Sequence, residues 1–454
     1  MAAEAKLLPQ YVAGLSAAMG SFALGTVIGW TAPVEPDIKD GSLGFEVSSA
    51  EYGWVGSLMA LGAACVCVPI GYVINVIGRK WTMLILVPPF VLGWVLILLA
   101  SNVFMLYAAR FLLGMCGGAF CIIAPIYTTE IAQTKIRGIL GCFFQMLITS
   151  GILYVYVVGA MAEVMVSSIL CAIVPILMAL LFLLLPESPA FFVLKGNMEK
   201  AQKSLQWLRG KDYDISGEMA EFVANDKYAK ENQVSVAKSL VKKSTLRAFA
   251  VSISLMLFQQ LSGINAIVMY STGIFKDAET GFTDTTCTIL VGTMMVVATF
   301  ISLFFIDRVG RKPLLMISAS FMSVCTFGVG FYFFKKAGDE DFAKSIAWLP
   351  VVCCCLYVIM FSCGFGAIPW LLMAELFSED IKGIAGSIAG TTNWLAAFLV
   401  TNTYPFVSEA IGIGLTFWIF SALTLLAVFF VLFIVPETKG KTFLEIQAIL
   451  EGNA

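Results

Sequence analysis

Long apolar runs separated by short polar segments dominate this chain. Each run is about 20 residues long, the length at which an α-helix crosses the hydrocarbon core of a membrane. One longer polar segment divides the runs into six and six, so the pattern predicts an all-α membrane protein with twelve transmembrane helices. The predicted spans, numbered 1 to 12 in chain order, are residues 10–32, 53–77, 82–100, 103–127, 138–160, 165–185, 246–275, 286–306, 313–334, 345–374, 384–407 and 412–434.

The composition agrees with this reading and narrows the chemistry. Of 454 residues, 59% are hydrophobic and 13% are charged, which excludes a soluble globular protein. Histidine is absent, so imidazole metal sites and histidine proton relays are excluded. Nearly all cysteines lie in apolar runs, where a free thiol packs as a small hydrophobic group. We therefore expect no disulfide framework, no metal site and no cofactor.

The basic residues fix the predicted orientation. If the spans alternate in direction, one set of Lys and Arg residues falls on one side, which the positive-inside rule makes cytosolic. These residues are Lys6, Arg79, Lys80, Lys135, Arg137, those of the central polar segment, Arg308, Arg311, Lys312, Lys382, Lys439 and Lys441. Both termini are then cytosolic. The first residues lack the basic region, short apolar core and cleavage site of a signal peptide, so we expect span 1 itself to direct the chain to the membrane.

Span 7 carries an unusual group of polar residues. Gln259, Gln260 and Asn265 lie in an apolar run, beside the pair Ser262-Gly263. A polar side chain within the membrane needs an internal partner or a cavity. Amides both donate and accept hydrogen bonds, so they suit an uncharged, hydroxyl-rich solute. The alternative is that they only bond neighbouring helices to one another.

Three short patterns recur in the two halves of the chain. Equivalent spans carry these patterns on the same side of the membrane. The patterns therefore indicate an internal duplication into two parallel repeats. The recurring patterns are Gly78-Arg79-Lys80 and Gly310-Arg311-Lys312, Glu130 with Arg137-Gly138 and Glu375 with Lys382-Gly383, and Pro186-Glu187-Ser188 and Pro436-Glu437-Thr438.

The polar segment 187–245 contains amphipathic stretches, in which Ala201, Leu205 and Leu208 recur at helical spacing. We expect short helices on the cytosolic face. The charges of the segment nearly balance, which argues against nucleic-acid binding. The predicted domains are residues 1–186 (first six spans), 187–245 (cytosolic linker), 246–435 (last six spans) and 436–454 (cytosolic tail).

Seven motifs together resemble the sugar porter family of the major facilitator superfamily, in order and over nearly the whole chain. The chain is most similar to facilitative glucose transporters and insect facilitated trehalose transporters. The resemblance implies two six-helix bundles around a sugar site at the membrane midplane. The motifs are Arg110 to Gly114, Pro125 to Ala132, Arg137-Gly138, Pro186 to Pro189, Gln259 to Phe275, Ile368 to Trp370 and Pro436 to Thr442.

The family's sugar contacts carry over to residues of spans 5, 7, 10 and 11. Amides bond hydroxyl groups, and an indole offers a flat apolar face and one N–H donor. The two tryptophans can also be read as packing or interfacial residues, and the span 5 glutamine as a helix-packing residue. The implied sugar contacts are Gln145, Gln259, Gln260, Asn265, Trp370, Asn393 and Trp394.

Some positions depart from the pattern of glucose transporters. Met295 replaces the usual Asn of span 8, and Ser362 replaces the usual Glu of span 10. Ala190 and Val76 each replace an Arg near the cytosolic ends of spans. A thioether in place of an amide makes the pocket more adaptable. Sugars other than glucose, including a disaccharide such as trehalose, therefore remain candidate substrates.

Charged residues near the cytosolic span ends form a second candidate group. Ionised groups cluster at such positions when they are paired or wet. We expect salt bridges between the two bundles that close the cytosolic side when the site faces outward; the alternative is that these charges only fix the topology. The residues are Arg79, Glu130, Arg137, Asp307, Arg311, Glu375 and Lys382.

Arg110 bears on the coupling to protons. In proton-coupled sugar porters a matching Arg partners an Asp of span 1, whereas this span has no carboxylate before Glu35. We expect Arg110 to bond carbonyl groups or Glu130 instead.

The resulting expectation is a plasma-membrane uniporter for a hexose or trehalose. Its partners would be the sugar and the lipid bilayer, with no nucleic acid and no obligatory protein. The alternatives are a proton-coupled symporter and a non-transporting sugar receptor, for which a long signalling tail would be expected. No nucleophile and base are arranged as in an enzyme.

Overall fold

The computed structural model describes residues 4–232, 240–441 and 443–451. In this part of the chain, twelve helical segments are long and apolar enough to cross a membrane, so the predicted count is confirmed. Spans 1 to 6 are Leu8–Lys39, Ser49–Ile77, Arg79–Leu98, Val103–Ile131, Thr134–Met161 and Val164–Leu183. Spans 7 to 12 are Lys243–Ala278, Asp284–Ser302, Arg311–Gly338, Leu349–Leu376, Ile381–Ile411 and Ile413–Phe433.

Most spans extend further than predicted from hydropathy. Span 1 continues to Lys39 instead of ending near residue 32, and span 9 covers Arg311–Gly338 instead of 313–334. Hydropathy falls where a helix leaves the hydrocarbon core, but backbone hydrogen bonding continues into the polar zone. The apolar run therefore marks the part of the helix in the membrane core and underestimates the length of the helix.

Three spans are each built from two helices. The helix pairs are Leu8–Gly29 with Thr31–Lys39, Lys243–Leu261 with Ile264–Ala278, and Leu349–Cys363 with Ile368–Leu376. The break in span 7 lies at Gly263, whose φ of +89° is in the left-handed region. A Cβ at Gly263 would also lie 2.7 Å from the ring of Phe420. Glycine therefore specifies this break.

Spans of the same half of the chain pack mainly on one another. Span 4 contacts spans 1, 2 and 3, and span 9 contacts spans 10 and 12. Spans 2 and 4 approach closely because Gly114 has no side chain, since a Cβ there would lie 1.9 Å from the carbonyl oxygen of Met59. The halves meet where span 2 contacts span 11, span 5 contacts span 8, and span 1 contacts span 7. From this packing we propose the domain division predicted from the sequence.

Short helices lie outside the spans. Their bounds are Pro189–Leu194, Met198–Arg209, Ser216–Asn232, Ile306–Val309, Glu340–Ser345 and Phe443–Glu451. Ala201, Leu205 and Leu208 are fully buried, as expected for the apolar face of an amphipathic helix. Arg209 joins the linker to the first bundle, since it pairs with Glu218 at 2.7 Å and donates to the carbonyl oxygen of Ile131 at 2.8 Å.

Candidate functional site

Four amide side chains form one hydrogen-bonded chain between spans 7, 10 and 11. Asn265 donates to Oε1 of Gln260 at 2.6 Å, and Gln260 donates to Oδ1 of Asn393 at 2.9 Å. Asn393 in turn donates to Oε1 of Gln259 at 2.6 Å. The structure therefore brings together four of the residues that sequence analysis named.

The amide chain ends on the break in span 10. Nε2 of Gln259 donates to the carbonyl oxygens of Phe365 and Gly366, at 2.5 and 3.0 Å. These carbonyls lie between the two helices of the span, where regular backbone bonding is interrupted. Irregular backbone at membrane depth needs such partners or a cavity. Gln259 therefore stabilises the break.

The break in span 7 orients the other amides. Gln259 and Gln260 are in the last turn of the first helix, and Asn265 is in the first turn of the second. Gly263 turns the backbone between them, so that Asn265 reaches back to Gln260. Gln259, Gln260 and Asn393 are each less than 9% exposed. The amides are thus held in place by one another.

Two residues that were not among the predicted sugar contacts also support this site. Tyr357 of span 10 donates its hydroxyl hydrogen to the carbonyl oxygen of Ser262 at 3.0 Å. The hydroxyl group of Ser262 donates to the carbonyl oxygen of Gln259 at 2.7 Å. A tyrosine in an apolar run is indistinguishable from a packing residue in the sequence, although Ser262 lies in the polar group of span 7.

The three other predicted sugar contacts lie apart from this network. Gln145, Trp370 and Trp394 are half-buried. Among the described residues, none of their side chains has a hydrogen bond to the four amides. Trp370 lies across from Gly390 of span 11, where an added Cβ would be 3.9 Å from the indole ring.

The recurring sequence patterns meet in one cluster at the end of the first bundle that was predicted to be cytosolic. Arg79 binds Glu130 through two nitrogens, with Nη2 2.8 Å from Oε1 and Nε 2.9 Å from Oε2. Ser188 donates its hydroxyl hydrogen to the same carboxylate. Glu187 accepts the backbone N–H groups of Arg79 and Lys80 at 3.0–3.1 Å, so it caps the start of span 3.

The second bundle repeats this arrangement. Arg311 binds Glu375 at 2.9 Å, and Thr438 donates to the other oxygen of Glu375. Glu437 accepts the backbone N–H of Arg311 at 3.1 Å and that of Lys312 at 3.0 Å, and so caps the start of span 9. Each recurring pattern thus supplies one part of a cluster that both bundles contain.

The two capping carboxyls differ in their environment. Burial raises the pKa of Glu187 above its ordinary value of 4.5, although backbone N–H groups oppose this effect. Burial also acts to raise the pKa of Glu437, but the backbone N–H groups of Lys439, Arg311 and Lys312 outweigh it and the pKa is lowered.

In this structure the charged residues that were predicted to bridge the bundles pair within each bundle. Arg79 pairs with Glu130 within the first bundle, and Arg311 pairs with Glu375 within the second. The physical reason is that each arginine begins a span beside the acid of its own half. Arg137 is exposed and has no ion pair with a described residue, and Lys382 is half-buried. The side chain of Asp307 lies outside the described part of the chain.

The bundles instead contact each other in the halves opposite to these charged clusters, which were predicted to face outward. Tyr156 of span 5 donates to the carbonyl oxygen of Val268 in span 7 at 2.5 Å. Asn402 of span 11 donates to the hydroxyl oxygen of Ser57 in span 2 at 3.1 Å. The rings of Tyr52 and Tyr270 also meet there, with centroids 6.4 Å apart. These contacts close the interface on its outer side.

Arg110 is fully buried and bonds carbonyl groups, as predicted. It donates to the carbonyl oxygens of Val27 and Val55, at 2.8 and 2.9 Å, and its guanidinium lies 5.4 Å from the ring centroid of Trp30. Among the described residues, no carboxylate forms an ion pair with Arg110, and its Nη2 has no hydrogen-bond partner.

Comparison with known proteins gives consistent results. The family model described as Sugar (and other) transporter matches residues 7–450. The facilitated trehalose transporter Tret1 of Drosophila erecta is 38% identical over 449 residues, which are 98% of this chain and 52% of that protein. Tret1 of Polypedilum vanderplanki is 37% identical over 449 residues, or 98% of this chain and 88% of that protein. The chain thus spans about half the length of its Drosophila relatives.

A solved structure shows the same fold. The partially occluded inward open conformation of the xylose transporter XylE from E. coli has a TM-score of 0.80 and 24% sequence identity. The match covers 95% of this chain and 99% of that one. The fold is therefore that of the major facilitator superfamily. By its sequence, over nearly its whole length, this chain belongs to the sugar (and other) transporter family.

Proposed function

We propose that this protein is a facilitative sugar transporter that carries a hexose or trehalose across the plasma membrane by alternating access. The observation that carries the proposal is the amide chain from Asn265 through Gln260 and Asn393 to Gln259. Its uncharged groups both donate and accept hydrogen bonds, which matches the hydroxyl groups of a neutral sugar. The names of the Tret1 relatives support trehalose as a substrate.

Gln145, Trp370 and Trp394 complete the proposed sugar site. They are half-buried, and so can contact a solute without leaving the hydrocarbon region. The indoles would cover the apolar faces of a sugar ring. Hydrogen bonds between neutral groups contribute only about 0.5–1.5 kcal/mol each, so the affinity is expected to be modest. A carrier must also release what it binds.

The contacts between the bundles support an alternating-access cycle. The outer halves meet through spans 2, 5, 7 and 11, so the described state is closed to the outside. The breaks at Gly263 in span 7 and at Gly364 in span 10 provide points at which these helices can bend. We propose that the cytosolic charges keep each bundle end rigid in this state. They would form contacts between bundles, with exposed Arg137 among them, when the cytosolic side closes.

The surroundings of Arg110 support uniport over proton symport. Coupling by protonation needs a titratable partner, and Arg110 binds carbonyl groups of Val27 and Val55 instead. We also propose that both termini are cytosolic, because most of the basic residues near span ends lie on that side. The protein would act without a catalytic step, a nucleic acid or an obligatory protein partner.

The experiment that tests this function is uptake of labelled glucose and labelled trehalose into liposomes that hold the purified protein. Uptake of one sugar to equilibrium, with or without an inward proton gradient, is the expected result. Gln260→Ala should abolish most of it. Accumulation above equilibrium only in the presence of the gradient would show a proton symporter and contradict the proposal.

A further inference from the structure

A cavity lies on the outer face of the protein, outside the contact between Tyr52 and Tyr270 that we call the gate. Its volume is about 240 Å³, and it is bounded by the outer ends of spans 1, 7 and 11 and the start of spans 2 and 12. Residues of both bundles line it. The polar ones that bear on its chemistry are Glu35, Lys39, Asp277, Tyr404, Ser408 and Glu409.

Glu35 presents an unsatisfied acceptor in this cavity. The residue is only 8% exposed. Its Oε1 accepts a hydrogen bond from Lys39 at 2.7 Å, whereas its Oε2 is buried and has no hydrogen-bond partner. Burial of an acceptor without a donor is unfavourable, and more so if the acceptor is charged. The arrangement therefore calls for a donor from a bound molecule.

Aromatic rings form the inner wall of the cavity. Tyr270 and Tyr404 both line it, and their rings are stacked with centroids 5.1 Å apart. The hydroxyl group of Tyr270 also donates a hydrogen bond to the carbonyl oxygen of Thr401 at 2.9 Å. This bond holds the ring of Tyr270 at the gate. Tyr270 lies in the same short helix as Asn265 of the amide chain. The cavity thus lies at the outer end of the helix that begins at the inner site.

The charges of the lining decide between possible ligands. Three carboxyl groups and one ammonium group face the cavity, so an anion is disfavoured. Within the described residues there is no cluster suited to a metal ion, and Lys39 occupies one oxygen of Glu35. A carboxylate oxygen that can accept hydroxyl hydrogens, next to an aromatic face, is suited to a neutral sugar.

We propose that this cavity is an outer subsite that binds a neutral sugar while the gate at Tyr270 is closed. Glu35 accepts hydroxyl hydrogens through Oε2, Tyr404 contacts the ring, and Ser408 lies at the rim. The sugar would remain bound there until the gate opens. This inference rests on the proposed transport of sugars, but the binding itself can be measured separately from transport.

The test uses a cysteine at the rim, Ser408→Cys, in the full-length protein in liposomes. A membrane-impermeant maleimide is added outside, and its labelling rate is measured with and without trehalose or glucose. The chain without the added cysteine gives the background from native thiols. The double substitution Gln260→Ala and Asn393→Ala is also present, so that the inner site cannot account for protection.

The expected result is that a sugar slows labelling about tenfold at a concentration of about ten dissociation constants, because only the unoccupied site reacts. Glu35→Gln should remove most of the protection. Glu163→Gln changes an exposed carboxylate elsewhere on the outer face and should leave it intact. Lys39→Gln breaks the same ion pair as Glu35→Gln but keeps Oε2 of Glu35. This variant should therefore retain protection, as Glu163→Gln does.

Three outcomes would overturn the subsite. They are equal labelling with and without sugar, loss of protection in Lys39→Gln as well as Glu35→Gln, and equal protection by calcium ions or by glycine betaine at the same concentration. Protection in the labelling test, together with no sugar uptake by the protein that keeps Gln260 and Asn393, would support the subsite and contradict the transport proposal. Uptake without protection would do the reverse.

Discussion

Gln260 donates a hydrogen bond to Oδ1 of Asn393 at 2.9 Å, across the contact between spans 7 and 11. Gln260 also accepts a hydrogen bond from Asn265, so it is the middle member of the amide chain. Its substitution therefore affects both neighbours.

Gln260→Ala should lower the ratio of maximal uptake rate to KM by about ten- to a hundredfold. The substitution removes one sugar contact and leaves groups of Asn265 and Asn393 without partners, at about 1–3 kcal/mol for a buried group. The measurement is sugar uptake into liposomes. Asn102→Ala is the control, because it removes an amide that caps span 4 at the outer face. It should lower stability by about 1 kcal/mol and leave KM unchanged. Equal KM values in both variants would contradict a sugar-binding role for Gln260.

Gly263→Ala should destabilise the protein. The positive φ of Gly263 is unfavourable for alanine, and the new methyl group would lie 2.7 Å from the ring of Phe420. We expect a loss of more than about 1 kcal/mol, seen as a lower Tm in detergent. Gly383→Ala is the matched control, since Gly383 lies within a helix and an added Cβ meets nothing within 4 Å. It should leave Tm unchanged or raise it. An unchanged Tm for Gly263→Ala would show that the break is not specified by this residue.

The capping carboxyls of the two bundles should respond to pH in opposite directions. The pKa of Glu437 is below 4.5 in the folded protein, so its stabilising effect is present above pH 4.5 and is lost as the pH falls through the lowered pKa. The pKa of Glu187 is above 4.5 in the folded protein, so the folded state binds this proton more tightly than the unfolded state does. The stability that this proton contributes is therefore lost as the pH rises from 4.5 through the raised pKa.

Glu437→Gln should therefore weaken the fall in Tm at acid pH, and Glu187→Gln should weaken the fall in Tm as the pH rises from 4.5 toward neutrality. Thermal unfolding in detergent across the acid range measures both. If both substitutions changed the dependence of Tm on pH in the same direction, the opposite pKa shifts of Glu437 and Glu187 would be contradicted.

The cluster of Arg311 and Glu375 tests the proposed cytosolic gate. If it supports closure of the cytosolic side, Glu375→Ala should shift the protein toward the state closed outside, because only a contact that differs between states changes their populations. A cysteine at Gly141, an exposed position of span 5, would then react faster with a permeant maleimide. Glu199→Ala removes an exposed pair with Lys203 in the linker and should have no effect. Equal labelling in wild type and Glu375→Ala would refute a gating role.

Much of this architecture is predictable from the sequence, because its signals are local. The spans follow from apolar length, and the amides of span 7 stand out against their apolar neighbours. The role of Asn265 as a donor to Gln260 depends on the left-handed turn at Gly263. The glycine indicates that a break is possible, but only the fold shows which side chains it joins.

Contacts between distant elements could not be predicted. Glu187 and Glu437 were recognised as parts of a repeated pattern, yet their function as caps of spans 3 and 9 needs the folded bundle. The pairing of Glu130 with Arg79 was missed for a related reason. The two residues are 51 positions apart in the sequence, and only the fold places the start of span 3 beside Glu130.

Counterflow of sugar tests the central claim most directly. Liposomes that hold the purified protein are loaded with unlabelled trehalose or glucose and diluted into a trace of the same labelled sugar, at equal pH on both sides. A uniporter working by alternating access should accumulate the label transiently above its outside concentration, and Gln260→Ala should suppress this overshoot. Simple equilibration without an overshoot, or no entry of either sugar, would contradict the proposed function.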